Sequence, residues 1–354
     1  MDAEAQGGTE FDPGRAWVAA MRRGDFATAW ALSDRYLQQV RASGQPRHAG
    51  PRHQQCVWRG EQLNGRRVLV RCYHGLGDSI QFARFFRPLR EIAREVIVWC
   101  QPELMEIIRA TPGVDRALPL HDGVCEAEFD VDIEIMELAH ALRAGRDLIA
   151  MHEPYVTLPA NPARAPVRGQ GLAIGLVWQV GDWDKRRAIP AEMLARLRVD
   201  GVRLYSLQRG PAARAGADIG AEDISTPDIA TLARRIRELD LVISVDTMVA
   251  HLTGALGCEG WVLLHADCDW RWPEGSATLW YPSLRLFHQK SAGNWFSVIE
   301  QVRAALLSRV ATHAGPISAS KAYGVNKVSE VPSSGARVGS GMRGSMPTSF
   351  RSRR

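Results

Sequence analysis

A series of short runs rich in valine, isoleucine and leucine, separated by helix-like segments, constrains this chain more than any other feature. "RRVLVRC" (66–72) and "EVIVWC" (95–100) are two of them, and Phe82, Phe85, Phe86, Leu89, Ile92 and Ala93 between them share one helical face. Pro88 is expected to kink or split that helix. "PELMEIIRATPGV", "RALPL" and "FDVDIEI" continue the pattern. Strand and helix alternating at this spacing predict a parallel sheet. The proline-rich stretch "LPANPARAPVRGQG" (158–171) interrupts the alternation and reads as an interdomain linker. The pattern then restarts with "LAIGLVW" (172–178), "VRLYSLQ" (202–208), "DLVISV" (240–245), "GWVLLH" and "RLFHQ". Thr226 and Pro227 are expected at the cap and first turn of a helix whose apolar stripe is Ile229, Leu232, Ala233 and Ile236. Gly257 is expected to end the helix of "DTMVAHLTGALG", and a last helix to run from about Trp295 to Val310. The expected architecture is α/β, with two Rossmann-like doubly wound domains at residues 57–160 and 171–310.

Ahead of them, "RAWVAAMRRGDFATAWALSDRYLQQVR" (15–41, within a segment 11–45) reads as a helical hairpin with its turn at "RGD". It looks like one tetratricopeptide unit without a second copy, so it is expected to pack on the following domain. Residues 42–55 read as a linker. After Ala311 the composition turns to Ser, Gly, Arg and Pro without periodicity, and a disordered tail is expected over 311–354.

The charge is informative once located. The chain carries +5, but from Gly315 onward seven Lys or Arg stand against the single Glu330, which leaves residues 1–314 at −1. A nearly neutral body argues against a nucleic-acid-binding domain. The basic tail could touch anionic lipid or nucleic acid; the reading taken is a solvated appendage. No apolar run approaches the roughly 18–20 residues that span a bilayer, and "MDAEAQGGTEFDPG" has no apolar core of a signal peptide. A cytoplasmic protein is expected, with peripheral contact at the inner membrane as the variant. The six cysteines form no CxxC pair, and Cys258, His265, Asp267 and Cys268 match no zinc spacing.

Three strand ends carry chemistry. In "VRCYHGLGDSIQF" (70–82), Gly75 and Gly77 allow a sharp turn and close substrate approach before a helix, and Ser79 and Gln81 extend that loop. The stretch lacks the third glycine of a dinucleotide fingerprint and the lysine of a P-loop. Asp78 suits a helix cap; at a strand's carboxyl end it also suits a general base toward a hydroxyl. In "VWQVGDWDKRRAIP", Lys185, Arg186 and Arg187 form either an exposed charged loop or a diphosphate clamp, with Gln179 lining the same crevice. In "DLVISVDTMVAHLTGALG", Asp246 and Thr247 sit at a strand-to-helix turn, with His251 four residues after Thr247. That turn is either a plain cap with a half-buried histidine or a phosphate site at a helix N-terminus. Gln208, in "SLQRG", could meet a base or ribose. These residues alone reach a cleft between two domains with a phosphorylated ligand, and name no reaction.

"WRGEQLNGRRVLVRCYHGLGDSIQFARF", "GLVW…KRRAIP", "RLYSLQRGPAA", "DLVISVDTMVAHLTGALG" and "DWRW…LWYPSLRLF", in this order, resemble the heptosyltransferase-like family 9 glycosyltransferases. The likeness runs from about Val57 to Leu307 and is nearest to the bacterial branch with tetratricopeptide repeats ahead of the transferase. The resemblance implies a GT-B fold, with the acceptor held by the N-terminal domain and the nucleotide sugar by the C-terminal one. It implies inverting, metal-independent transfer with no cofactor; a donor such as ADP-heptose is a substrate. The acceptor would be a glycan, lipid-glycan or protein, with lipopolysaccharide assembly as the setting. By position, Asp78 matches the family's candidate base, and Gly75, Gly77, Ser79 and Gln81 lie in its glycine-rich loop. Lys185 matches the lysine thought to neutralise the donor diphosphate, with Arg186 or Arg187 assisting, and Asp246, Thr247 and His251 match the donor-binding "DT…H" signature. Tyr73, His74, Ala188 and "HADCDWRW" depart from the family's usual residues, which leaves donor and acceptor open. Two other readings fit: a non-catalytic nucleotide-sugar-binding module, and a nucleotide-sugar epimerase, for which paired acidic residues around the sugar are not evident.

Overall fold

The structure is a computed structural model that describes residues 11–43, 57–158, 169–181 and 184–313. Helix α1 (Pro13–Arg23) starts where Asp12 accepts hydrogen bonds from the N–H groups of Gly14 and Arg15, with proline in the first turn. It ends at Gly24, whose φ of 69° is the left-handed conformation that costs glycine little. Asp25 then caps α2 (Phe26–Ala42) through the N–H of Thr28. "RGD" is thus a helix stop and a helix start placed back to back.

The first sheet contains β1 (Arg67–Arg71), β2 (Glu95–Cys100), β3 (Arg116–Pro119) and β4 (Val131–Glu134), all parallel, in the order β3-β2-β1-β4. Between β1 and β2 lie α3 (Leu76–Phe82) and α4 (Phe86–Ile92), and α5 (Met105–Arg109) precedes β3. The helix does split, but at a 3₁₀ turn over Ala83–Phe85. Pro88 sits in the first turn of α4, where an N–H has no intrahelical partner to lose. Ile92, expected on the buried face, is the last residue of α4 and is 50% exposed. The short helices α6 (Leu138–Ala141) and α7 (Arg146–Ile149) follow β4.

The second sheet is built from β5 (Leu172–Val177), β6 (Val202–Ser206), β7 (Glu222–Asp223), β8 (Leu241–Val245), β9 (Gly260–Leu264) and β10 (Leu284–His288). It is parallel throughout, ordered β10-β9-β8-β5-β6-β7. Its helices are α8 (Ala191–Leu194), α9 (Ala215–Asp218), α10 (Ile229–Ile236), α11 (Met248–Ala255) and α12 (Trp295–His313). The cap of α10 is Asp228, which accepts from the N–H of Thr231 at 2.6 Å, and not Thr226. Thr226 instead accepts from the N–H of Asp228, one step earlier in the turn. The expected stripe of Ile229, Leu232, Ala233 and Ile236 is buried. Helix α12 continues to His313, three residues into the expected tail. The rest of that tail, most of the 42–55 linker with Cys56, and residues 159–168 of the proline-rich stretch lie outside the described residues. Among the described residues, no helix is long and apolar enough to cross a membrane.

In both sheets the strand order reverses once, between β1 and β4 and between β5 and β8. At such a switch point the flanking connections diverge and leave a crevice at the carboxyl ends of the strands. One buried apolar cluster runs through the hairpin (Ala20, Phe26, Trp30), the first sheet (Val68, Val70, Val98) and the second (Val242, Val262, Leu286). The hairpin touches segments of both halves. Trp30 donates its indole N–H to the carbonyl of Ala144, while Trp17 meets Trp270 edge-on at 5.2 Å.

Candidate active site

The glycine loop leaves the tip of β1 at the switch point. Gly75 caps α3 with extended backbone, and the Oδ2 of Asp78 accepts the Gly75 N–H at 3.0 Å, so Asp78 does cap its own helix. Its Oδ1 accepts from Nη2 of Arg271 at 2.6 Å, an ion pair from the first sheet to a loop of the second, with Asp78 26% exposed. Gly77 has no left-handed backbone; closeness is what requires glycine there. A Cβ added to it would stand 2.8 Å from Cδ2 of His251 on α11. Ser79 and Gln81 are fully buried. Ser79 donates to the side chain of Gln101, which in turn donates to the carbonyl of His74 and ties the loop to β2. Gln81 accepts Nε of Arg271 at 2.7 Å.

The second sheet brings a matching turn to its own switch point. Thr247 caps α11, accepting from the N–H of Val249 and pairing with the Ser244 hydroxyl at 3.1 Å. Asp246, just before it, is buried; its carboxylate lies 3.8 Å from Nη1 of Arg187 and 3.9 Å from Nε2 of His251. Burial pushes the Asp246 carboxyl up to about 6, against the opposing charge of Arg187. His251 is also buried, stacked on Trp272 at 5.3 Å and hydrogen-bonded through Nδ1 to the Tyr281 hydroxyl at 3.0 Å. Burial first, then the charges of Arg271, Arg84 and Arg187, push its pKa well below the usual value, so the ring is neutral.

The cationic cluster follows β5 as a 3₁₀ turn, Lys185–Arg187, capped by Asp184. Lys185 is exposed at its first position. Arg186 grips Asp184 through two nitrogens and reaches Asp267 at 3.1 Å, holding the Asp184 carboxyl at about 2. Arg187 donates to the carbonyl of Asp246 at 2.9 Å and so joins the cationic turn to the β8 tip. Gln208 sits at the tip of β6, but its carbonyl oxygen accepts the N–H groups of Trp178 and Gln179 and its amide donates to the Arg209 carbonyl. The Gln179 amide donates to Ile189. Both glutamines thus clasp backbone where a ligand contact was expected.

The residues brought together are therefore Gly77, Asp78, Arg187, Asp246, Thr247 and His251. Sequence reasoning missed three others. Arg271, 9% exposed, binds Asp78, Gln81 and Asp269. Tyr281 orients His251. Arg84, 1% exposed, donates to the carbonyls of Gln81 and Ile149 and to the Tyr155 hydroxyl, and stacks about 5 Å from the rings of Tyr155, Trp280 and Tyr281. The available signal was an arginine set among aromatics, in "DWRW" and in "FARFF", since such an arginine seldom belongs to a solvated face.

A crystal structure of a family 9 glycosyltransferase from Veillonella parvula superposes with a TM-score of 0.50 at 14% identity, covering 72% of this chain and 99% of that one. The fold is that of the family 9 glycosyltransferases. Escherichia coli ADP-heptose LPS heptosyltransferase II aligns with a TM-score of 0.48 at 14% identity, over 69% of this chain and 99% of that one. In sequence the chain is 25% identical over 287 residues to Protein FlbA of Caulobacter vibrioides, covering 70% of this chain. It spans 48% of that relative, about half its length. No family model matches the chain. Within the family 9 fold, the residues described above lie where the two parallel sheets turn their strand tips toward each other.

Proposed function

We propose that this chain is an inverting, metal-independent glycosyltransferase that moves a heptose-like sugar from a nucleotide-diphosphate donor to a hydroxyl of a glycan, lipid-glycan or protein acceptor. The observation that carries this reading is the meeting of the two strand tips. Gly77, one residue before the partly exposed carboxylate of Asp78, packs on His251, four residues after Thr247 at the start of α11. A base and an anion-accepting helix end are thereby within one substrate's length of each other.

In the proposed reaction Asp78 takes the proton of the acceptor hydroxyl while its oxygen attacks the anomeric carbon from the face opposite the leaving group. Both Asp78 oxygens already accept one hydrogen bond each, and each retains a second lone pair for that proton. The bond from the anomeric carbon to the diphosphate oxygen breaks, and its electron pair leaves with the nucleotide. Lys185 and Arg187 would meet the charge developing on the diphosphate, with the positive end of the α11 dipole adding to them. Arg186 would act through Asp184, which it holds in place. The epimerase reading needs acidic groups on both sides of the sugar, and Asp246 is buried, 3.8 Å from Arg187 and 3.9 Å from His251.

Calorimetry and product analysis with a panel of ADP-, UDP- and GDP-sugars test the proposal. Binding of one donor, with release of its nucleotide in the presence of acceptor, is the expected result. Binding without transfer to any acceptor would make the chain a binding module, and no binding at all would end the reading.

A further inference from the structure

Arg271 sits in a loop of the second sheet, yet two of its three side-chain partners belong to the first. Nη2 donates to Oδ1 of Asp78 at 2.6 Å and Nε to the side-chain oxygen Oε1 of Gln81 at 2.7 Å, while Nη1 donates to Asp269 at 2.8 Å in its own loop. A guanidinium presents N–H donors in a planar fork, so three acceptors in its plane fix its position and orientation together. Because Nε can only donate, the Gln81 oxygen must face it, and the Gln81 amide nitrogen is then left buried with no hydrogen-bond partner among the described residues. A buried, unpaired amide is a cost that Gln81 bears in order to receive Arg271.

The loop that carries Arg271 is braced from behind by the N-terminal hairpin. Trp270 packs edge-on against Trp17 at 5.2 Å and against Trp280 at 5.9 Å, and the Arg271 guanidinium lies 4.5 Å from the Trp270 ring centre. Arg22 of α1 donates to the carbonyl of Cys268. A chain of contacts therefore leads from the hairpin, through Trp270, to the carboxylate of Asp78.

Resting on the transferase reading above, we infer that Arg271 is a positioning residue that clamps Asp78 and Gln81 from the opposite half of the cleft. Asp78 is in register for the acceptor only while the loop of the second sheet is docked on the glycine loop. The hairpin, by bracing that loop, is part of the device that aligns the base.

The test is a double-mutant cycle with two independent readouts on the full chain. By amide exchange of the ligand-free protein, Arg271→Ala and Asp78→Asn each speed exchange of residues 74–82 by about tenfold, and the double variant exchanges no faster than either single one. In transfer assays Arg271→Ala lowers kcat by about a hundredfold with donor affinity held within about threefold. Its further effect in the Asp78→Asn background is under about threefold, and added guanidinium or Arg271→Lys restores part of the rate. Unchanged exchange at 74–82 in Arg271→Ala overturns the clamp, as do equal losses in both Asp78 backgrounds or a donor affinity that falls with kcat. If wild-type chain transfers no sugar, the transferase reading falls while the exchange cycle still decides the clamp. Should Arg271→Ala not fold, Arg271→Lys and Trp17→Ala carry the same exchange measurement, the latter loosening the loop from the hairpin side.

Discussion

Asp78 and Asp246 each stand just beyond a parallel strand, at the start of the helix that follows, and the two halves treat them in opposite ways. Asp78 is 26% exposed, and both of its oxygens accept hydrogen bonds, one from the backbone of its own helix and one from Arg271. Asp246 is nearly buried, with its nearest cationic and imidazole nitrogens 3.8 and 3.9 Å away, and its carboxyl is pushed up to about 6. The same strand-turn-helix device thus yields a partly solvent-reaching carboxylate in one sheet and a buried one with a raised pKa in the other. What separates them is how much each is walled in: Trp272, His251 and Arg187 close over Asp246, whereas the glycines beside Asp78 carry no side chains to do so.

The largest expected effect tests the first half of the contrast. Asp78→Asn keeps the shape of the side chain and removes its ability to accept a proton, and should lower transfer by about 10²–10⁴-fold while nucleotide-sugar affinity stays within a few fold. Kinetics and calorimetry on one preparation check it, and normal turnover would remove Asp78 as base.

Asp246→Asn tests the other half through pH. The folded pKa of about 6 lies above the unfolded value near 4, so the folded state holds the proton longer. The stability this contributes is complete below about pH 4 and is lost as pH rises to about 6. Wild-type protein should therefore fall relative to Asp246→Asn by up to about 3 kcal/mol between pH 4 and pH 7. Urea midpoints of the two proteins across that range report the difference, and parallel curves would mean that Asp246 is not the buried acid described here.

The two glycines sharpen the comparison further. Gly77→Ala drives a methyl to 2.8 Å from the His251 ring and should cost about 1–3 kcal/mol in thermal unfolding. It should also weaken any contact that depends on the two helices meeting. Gly75→Ala is the small-effect partner. Its φ of −65° suits any residue, and the nearest atom to the added carbon is the Asp78 carboxylate at 3.2 Å. The change should stay within about 0.5 kcal/mol, because the lost freedom of the unfolded chain offsets slight crowding. Equal losses at both glycines would show that the close approach to His251 is not what selects glycine at position 77.

Much of this was legible along the chain. Strands buried on both faces must be nearly continuous in Val, Ile and Leu, so β1, β2, β5, β8 and β9 stood out as local runs. A turn needs its own chemistry within a few residues, which is why "RGD" could be placed between two helices and the glycine loop and "DTMVAH" on strand ends. The cap of α10 was misjudged by two residues because Thr226 and Asp228 are both capable caps and only the finished turn chooses between them. Gln208 was placed at a strand tip from its sequence position; that its side-chain oxygen would accept the N–H groups of Trp178 and Gln179 after β5 depends on the strand order.

What the sequence by itself determined was the set of local elements, their parallel arrangement and the candidate polar residues at their tips, since each follows from periodicity and turn chemistry within about a dozen positions. The tertiary structure alone decided which of those residues meet. Arg271 reaches Asp78 across 193 positions and Trp17 reaches Trp270 across a still longer span, and no local pattern encodes such a pairing. It also decided protonation, because the raised carboxyl of Asp246 and the neutral ring of His251 come from burial, and burial exists only once the two sheets and the hairpin have closed around them.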